Sequence, residues 1–428
     1  MEHLFPDLLK NDFCTGQGTN AVFLMQNEAT EKKVKDIVVL DGVRTAIGTF
    51  GGALANTSPI ELGEIVAKEA IARSGIDGRQ IENVVFGHVI NTEPRDMYLS
   101  RAVAIGSGVP EEAPAMNVNR LCGSGLQAIV SAAQSLIQGD AAIALAGGSE
   151  SMSRSPYIMP AIRWGQKMGD TGATDMMLGA LNCPFGTGHM GVTAENVALE
   201  YAITREAQDE FALQSQERAL NAINNGYFKS QIVPVEVKGK RNMVSFDTDE
   251  HPKASTLESL GNLRPAFQKD GTVTAGNASG LNDGAAAVVL ATADTAARAR
   301  LKPRARLLGY HIAGVRPDIM GIGPIPAVSG LLKRTGLTIS DFDVIESNEA
   351  FAAQALAVSK TLGLDNNKVN PNGGAIALGH PIGASGVIIF LKALYELERT
   401  GLKRALATMC IGGGQGIAVA LEAIRPST

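Results

Sequence analysis

Two long stretches without charge constrain this chain more than any other feature. Residues 121–139 (LCGSGLQAIVSAAQSLIQG) carry no charged side chain over 19 positions, and residues 369–391 carry only His380 as a titratable group. A membrane-spanning helix needs about 20 predominantly apolar residues. The first stretch instead holds Gly123, Gly125, Gln127, Ser131, Gln134 and Gln138, and the second is broken by Pro371, Pro381 and several glycines. Both therefore read as helices that leave Gly-rich turns and are buried on nearly all sides of a large water-soluble core.

A core of that size fits the length, because 428 residues allow two or three ordinary domains. Glycine supplies 48 of them, more than the usual ~7%. The net charge of −5 offers no basic field for nucleic acid. Four cysteines in so long a chain exclude a disulfide scaffold and suit a reducing, cytoplasmic setting. Residues 1–36 lack periodicity and show neither a transit-peptide pattern nor an apolar signal core. They are expected to be a disordered or non-native extension.

The body alternates strands with helices. A strand over 37–40 leads into a Gly-rich turn (41–52), and Ser58-Pro59-Ile60-Glu61 combines a cap residue, proline at the first helical position and a capping-box glutamate. That helix should end near Ser74-Gly75. Strands follow at 83–87 and 141–146, which argues an α/β fold with at least partly parallel sheet. From 152 to 281 the chain is richer in Met, Gly, Pro and charge, with one amphipathic helix, 205–225, capped by Thr204 and stopped by Gly226. Beyond it the first pattern returns: GSG (123–125) precedes AIALAGG (142–148), and GASG (383–386) precedes ALATMCIGGG (405–414) at similar spacing. The repeat suggests two sheets around paired central helices. The expected divisions are 37–151 plus about 282–303 as a first half, 152–281 as an insertion, and 304–428 as a second half.

Chemistry-bearing residues gather in the Gly-rich turns. Cys122 stands just before a helix start, where free N–H groups and the helix dipole favour a thiolate; a small buried thiol packing the helix is the competing reading. His380, in GGAIALGHPIGASG (373–386), sits in a glycine-dense loop where a neutral imidazole could take a proton from Cys122. Cys410 precedes three glycines whose N–H groups can face an oxyanion. Asn348 lies at a strand-to-helix junction, a usual place for site residues, although helix capping also explains it. GTGHMG (186–191) fits a dinucleotide pattern but follows LNCPF, which is no buried strand. No paired-Cys metal spacing, Walker loop or G-x-S-x-G elbow occurs, and Cys14 and Cys183 lie in unpatterned segments. Two thiols, an imidazole and an amide suit acyl transfer through a thioester with a second thiol exchanging a proton.

The motifs NRLCGSGLQA, GGSESMS, HMGVTAENVA, LRPAF, TAGNASGLNDGAAA, NEAFAAQA, GGAIALGHPIGASG and CIGGGQG, in this order over residues 36–425, resemble the thiolase family. That resemblance implies a five-layered α-β-α-β-α sandwich of two similar halves, with an inserted loop domain for coenzyme A. It implies that Cys122 is acylated, that His380 activates it, and that Cys410 is the acid/base. It further implies that Asn348 positions a water completing one oxyanion hole with His380, while the N–H groups of Cys122 and Gly412 form the other. Carried over in the same way, His189, Met190 and Ser279 contact coenzyme A, and Leu281, Met320 and Phe351 line the pantetheine and acyl path. The family's arginine near the nucleotide is replaced by Lys253 here, which keeps the charge but loses bidentate phosphate geometry. The implied reaction is reversible Claisen condensation and thiolysis of 3-oxoacyl-CoA, with coenzyme A as substrate, no separate cofactor, no metal, and a homotetramer or dimer. A carrier-protein-dependent condensing enzyme and an inactive binding protein of the same fold are the alternatives.

Overall fold

The computed structural model describes residues 35–239 and 241–424, so the expectation for the N-terminal extension falls almost wholly outside the described residues. Nine strands build the main sheet: β1 (Ile37–Arg44), β2 (Asn83–Gly87), β3 (Ala115–Val118), β4 (Ile143–Ser151), β5 (Asn282–Thr292), β6 (Ala305–Gly314), β7 (Val344–Ser347), β8 (Arg404–Ile411) and β9 (Gln415–Ala423). Their order is β7-β8-β9-β6-β1-β5-β4-β2-β3, and Gly48–Thr49 adds a short tenth strand beside β5. The pairs β2/β3, β2/β4 and β7/β8 are parallel; the rest are antiparallel. The main helices are α1 (Pro59–Arg73), α2 (Leu99–Gly106), α3 (Ser124–Gln138), α4 (Met190–Glu200), α5 (Arg205–Asn224), α6 (Pro324–Thr335), α7 (Ala352–Leu362) and α8 (Ser385–Thr400).

Local chemistry explains the starts and stops. Ser58 accepts from the Glu61 N–H and Glu61 answers with a bond to the Ser58 N–H, with Pro59 as first helical residue. Thr204 caps α5 in the expected place. Two strands outrun the expectation. β1 continues through the segment read as a turn, because Asp41–Arg44 keep pairing with β5, and β4 continues through Gly147–Ser151 for the same reason.

The period-two alternation of the strands builds the layers. In β1, Ile37 and Val39 face a central core while Val38, Leu40 and Val43 face an outer one against α1 and α2. In β9, Ile417, Val419 and Leu421 face the same central core, and Ala418 and Ala420 face a second outer core against α6. The central core is filled by α3 and α8, so the stack is helix, strand, helix, strand, helix. The sequence led us to expect two separate sheets. Instead the halves form one ten-stranded run, joined at β1/β6 by only two residue pairs, Val38 with Arg306 and Val39 with Ala305. The repeat is visible as topology: in each half antiparallel pairs next to the β1/β6 junction are followed outward by a parallel pair, with a buried helix leading into its longer strand.

The buried helices α3 and α8 touch backbone to backbone. A Cβ on Gly125 would lie 2.7 Å from the Val387 nitrogen, and one on Gly386 would lie 2.2 Å from the Leu126 nitrogen. Any side chain there would force the helices apart. The insertion is tied to β1 by a wholly buried ion pair, Arg44 to Asp249 at 2.7 Å, with the Arg44 guanidinium 5.1 Å from the Phe228 ring centre. Among the described residues no helix is long and apolar enough to cross a membrane.

Candidate active site

The turn before α3 presents Cys122. Leu121 takes a left-handed conformation (φ 45°), rare for a side chain of that size. It is held there by its N–H to Asn119 Oδ1 (3.0 Å) and by its carbonyl, which accepts from the Ser124 hydroxyl (2.6 Å). The twist directs Cys122 into a cavity of about 620 Å³ lined by ten of the eleven residues singled out above: Cys122, His189, Met190, Ser279, Leu281, Met320, Phe351, His380, Cys410 and Gly412. Asn348 is the exception. It is 2% exposed, its N–H bonds the Thr408 carbonyl at 3.0 Å, and its side chain lines a small cavity behind His380.

The His380 loop is clamped from three sides. Its backbone N–H donates to Asn282 Oδ1 (2.9 Å), and the Asn282 amide reaches the Gly48 carbonyl (2.9 Å) and His251 Nδ1 (3.2 Å). Glu150 accepts from the Gly383 N–H (2.9 Å) and from Val89 and Ile90 (both 3.1 Å). A Cβ on Gly148 would lie 2.3 Å from the Gly383 carbonyl oxygen, so the loop rests directly on β4. The imidazole Nδ1 lies 2.6 Å from Ser385 Oγ, whose hydroxyl is 2.8 Å from the Pro381 carbonyl. Both bonds are made only if Ser385 donates to Pro381 and Nδ1–H donates to Ser385. Nε2 is then bare, and it has no partner among the described residues. Burial lowers the His380 pKa to about 4, so the ring is a neutral base.

Both site thiols are held protonated. Burial pushes Cys122 above the ordinary thiol range and the Glu150 carboxylate adds to this; the N–H groups of Gly412 and of Cys122 itself, directed at Sγ, oppose it. The expected lowering by the helix start is therefore outweighed by desolvation. Burial, and then the neighbouring Cys122, raise Cys410 strongly. Cys410 is the last residue but one of β8; beyond it Gly413 (φ 83°) and Gly414 (φ 89°) make the turn into β9 and leave the Gly412 N–H facing Cys122.

The cavity mouth is aromatic. His189 caps α4 through Nδ1, which accepts from the Gly191 N–H at 3.0 Å, and stacks on Phe267 with ring centres 4.7 Å apart. Phe267 meets Phe351 edge-on at 6.1 Å. Beyond Cys122 the wall is apolar, with Met152, Met177 and Ile382 in one buried cluster. The residue-by-residue reading assigned nothing to Phe267, Glu150, Asn282 or Ser385. Each lies in a motif already singled out; the partners of Phe267, Glu150 and Asn282 are far away in the chain, whereas Ser385 bonds His380 and Pro381 of its own motif. Cys183, given no role, is buried in the same apolar cluster as Cys410. Lys253 does not line the cavity; its backbone N–H bonds Gln216 Oε1 at 3.0 Å.

The sequence matches the family model for the thiolase N-terminal domain over residues 37–294 and that for the thiolase C-terminal domain over 301–423. It is 61% identical over 392 residues to a beta-ketothiolase, BktB, of Cupriavidus necator, covering 91% of this chain and all of that one. Identity to an acetyl-CoA acetyltransferase of Syntrophomonas wolfei is 48% over 396 residues, covering 91% of this chain and all of that one. Among solved structures, human mitochondrial 3-ketoacyl-CoA thiolase in complex with CoA superposes with a TM-score of 0.89 at 44% identity, covering 92% of this chain and 99% of that one.

Proposed function

The chain belongs to the thiolase family, and on that premise we propose how its residues divide the reaction. The activity is that of an acetyl-CoA C-acyltransferase, the reversible Claisen condensation and thiolysis of 3-oxoacyl-CoA. In the thiolytic direction His380 Nε2 takes the Cys122 proton as the sulfur attacks the 3-oxo carbon. The oxyanion is met by the N–H groups of Cys122 and Gly412. The C–C bond breaks and Cys410, held as a thiol, gives its proton to the departing acetyl-CoA enolate. The Cys410 thiolate then deprotonates an incoming coenzyme A, whose sulfur takes the acyl group, and the released Cys122 thiolate recovers its proton from His380. Synthesis reverses these steps.

The observation that carries this assignment is the meeting of two protonated thiols and a neutral imidazole with a bare Nε2 in one cavity. Coenzyme A is read as a substrate entering past His189, Phe267 and Phe351, with no other cofactor. A cytoplasmic setting is supported by the free state of Cys122, Cys183 and Cys410. A homo-oligomer is supported by exposed apolar side chains in the insertion, Tyr157, Ile162, Trp164, Met168 and Phe185; light scattering of the purified protein tests it. For the chemistry, Cys410→Ala incubated with acetyl-CoA should still carry an acetyl group on Cys122 by mass spectrometry, while turnover in both directions is lost. Turnover by Cys122→Ala would overturn the assignment.

A further inference from the structure

Behind His380 lies a second, smaller cavity of about 20 Å³, bounded by Glu346, Asn348, Gly379, Ser385 and Lys392. One water needs roughly 10–15 Å³ of such space and two to four polar partners. Val344 belongs to the central core, and the strand period of two puts Glu346 and Asn348 on the same side as it. Glu346 is 1% and Asn348 2% exposed. Lys392 donates to Glu346 Oε2 (2.8 Å) and to the Gly373 carbonyl (2.6 Å). The other carboxylate oxygen, Oε1, and the Asn348 amide nitrogen, Nδ2, have no partner among the described residues. Buried polar atoms of this kind are costly when left unpaired. Two of opposite hydrogen-bonding character on one small cavity are met together by one water.

Resting on the reading that Asn348 serves the oxyanion side of the acyl-transfer centre, we propose that this cavity is a single-water site and that its water ties the Asn348 amide to the Glu346 carboxylate. The water accepts from Asn348 Nδ2 and donates to Glu346 Oε1. Glu346, itself fixed by Lys392, is then a positioning residue for Asn348. It touches no substrate, since neither Glu346 nor Lys392 lines the main cavity. The link gives the fully buried Glu346–Lys392 pair a part in placing Asn348. Such pairs add little net stability, because desolvation consumes much of the attraction.

The experiment combines a high-resolution crystal structure with a mutant cycle. Density should show one water within hydrogen-bond reach of both atoms. Replacing both charges, Glu346→Leu with Lys392→Met, should lower kcat about tenfold and leave KM for coenzyme A unchanged, one step weaker than the ~10²–10³ loss of a direct oxyanion donor. On an Asn348→Ala background the same change should cost nothing further. Glu346→Gln, which still accepts from the water, should stay within about twofold of the parent. Should the double replacement fail to fold, Glu346→Asp keeps the charge beside Lys392 but withdraws the acceptor, and should lose kcat alike. Absence of the water, or losses that multiply with Asn348→Ala, overturns the inference while the role of Asn348 stands. An Asn348→Ala variant with undiminished kcat instead overturns the reading of Asn348 itself, and the positioning role with it.

Discussion

Replacing Ser385 by alanine removes the acceptor for His380 Nδ1–H at 2.6 Å, and the effect on rate can be worked from which state needs that bond more. In the resting enzyme the ring is neutral, with burial holding its pKa to about 4, and the bond is an ordinary one worth about 1 kcal/mol. Once Nε2 has taken the Cys122 proton the ring is an imidazolium, and a bond from a charged donor is worth about 1.5–3 kcal/mol. Only the surplus lowers the barrier. That surplus, about 0.5–2 kcal/mol, converts to a loss of kcat of roughly 2- to 30-fold at ~1.36 kcal/mol per tenfold. Ser385 does not line the main cavity, so KM for coenzyme A should hold. The assay is steady-state thiolysis of acetoacetyl-CoA, followed by loss of its enolate absorbance, beside a urea titration of the same protein. A kcat within twofold of the parent, with stability down by about 1 kcal/mol, would refute the reasoning. His380 would then be oriented by packing alone, and Nδ1–H would do nothing for the charge that forms.

The close approach of the central helices makes Gly386→Ala severe: its Cβ would lie 2.2 Å from the Leu126 nitrogen. The urea midpoint should fall by the equivalent of at least about 3 kcal/mol, whereas Gly336→Ala, which meets nothing within 4 Å, should fall by only the cost of its left-handed φ (70°). His380 also makes stability depend on pH. Its ordinary value is 6.5 and its folded value about 4, so between these the unfolded chain binds the extra proton. Stability is then complete above pH 6.5 and is lost as pH falls toward 4, by about 3 kcal/mol in all. His380→Asn should flatten that slope relative to the parent, and an unchanged slope would sink the claim.

What could be read in the sequence was whatever depends on neighbours in the chain. The capping box at Ser58, the Thr204 cap and the two buried helices follow from local spacing, and the structure has them. The motif glycines pointed to close approach without saying to what. Gly125 needs Gly386, and Gly148 needs Gly383, across more than 230 residues of chain. The same holds in the site. Cys122, His380 and Cys410 stood out by their turns, but Glu150 and Asn282 matter only for what folds against them. β1 and β4 were cut short because glycines were read as turn residues. In β1 the glycine instead admits a neighbour: a Cβ on Gly42 would lie 2.7 Å from a Leu391 methyl and from the Ala287 carbonyl oxygen.

Cys122 shows how local and global physics can oppose each other. Its place before α3 favours a thiolate, but a helix terminus contributes only about 0.3–1 kcal/mol, up to ~2 when partly buried, or at most about 1.5 pKa units. Desolvation of a buried thiolate is worth up to ~3–5 units. Burial wins, and the thiol is raised despite two N–H groups aimed at it. The N–H groups of Gly412 and Cys122 are therefore kept for the oxyanion of the transition state rather than used up on a resting thiolate, which is where stabilisation raises kcat. The alkylation rate of Cys122 by iodoacetamide, with Cys14→Ala, Cys183→Ala and Cys410→Ala to isolate it, should consequently keep rising beyond pH 9. If the rate instead levelled off near pH 7, Cys122 would be a preformed thiolate, and the proton transfer to His380 assigned to the attack step would have no proton to move.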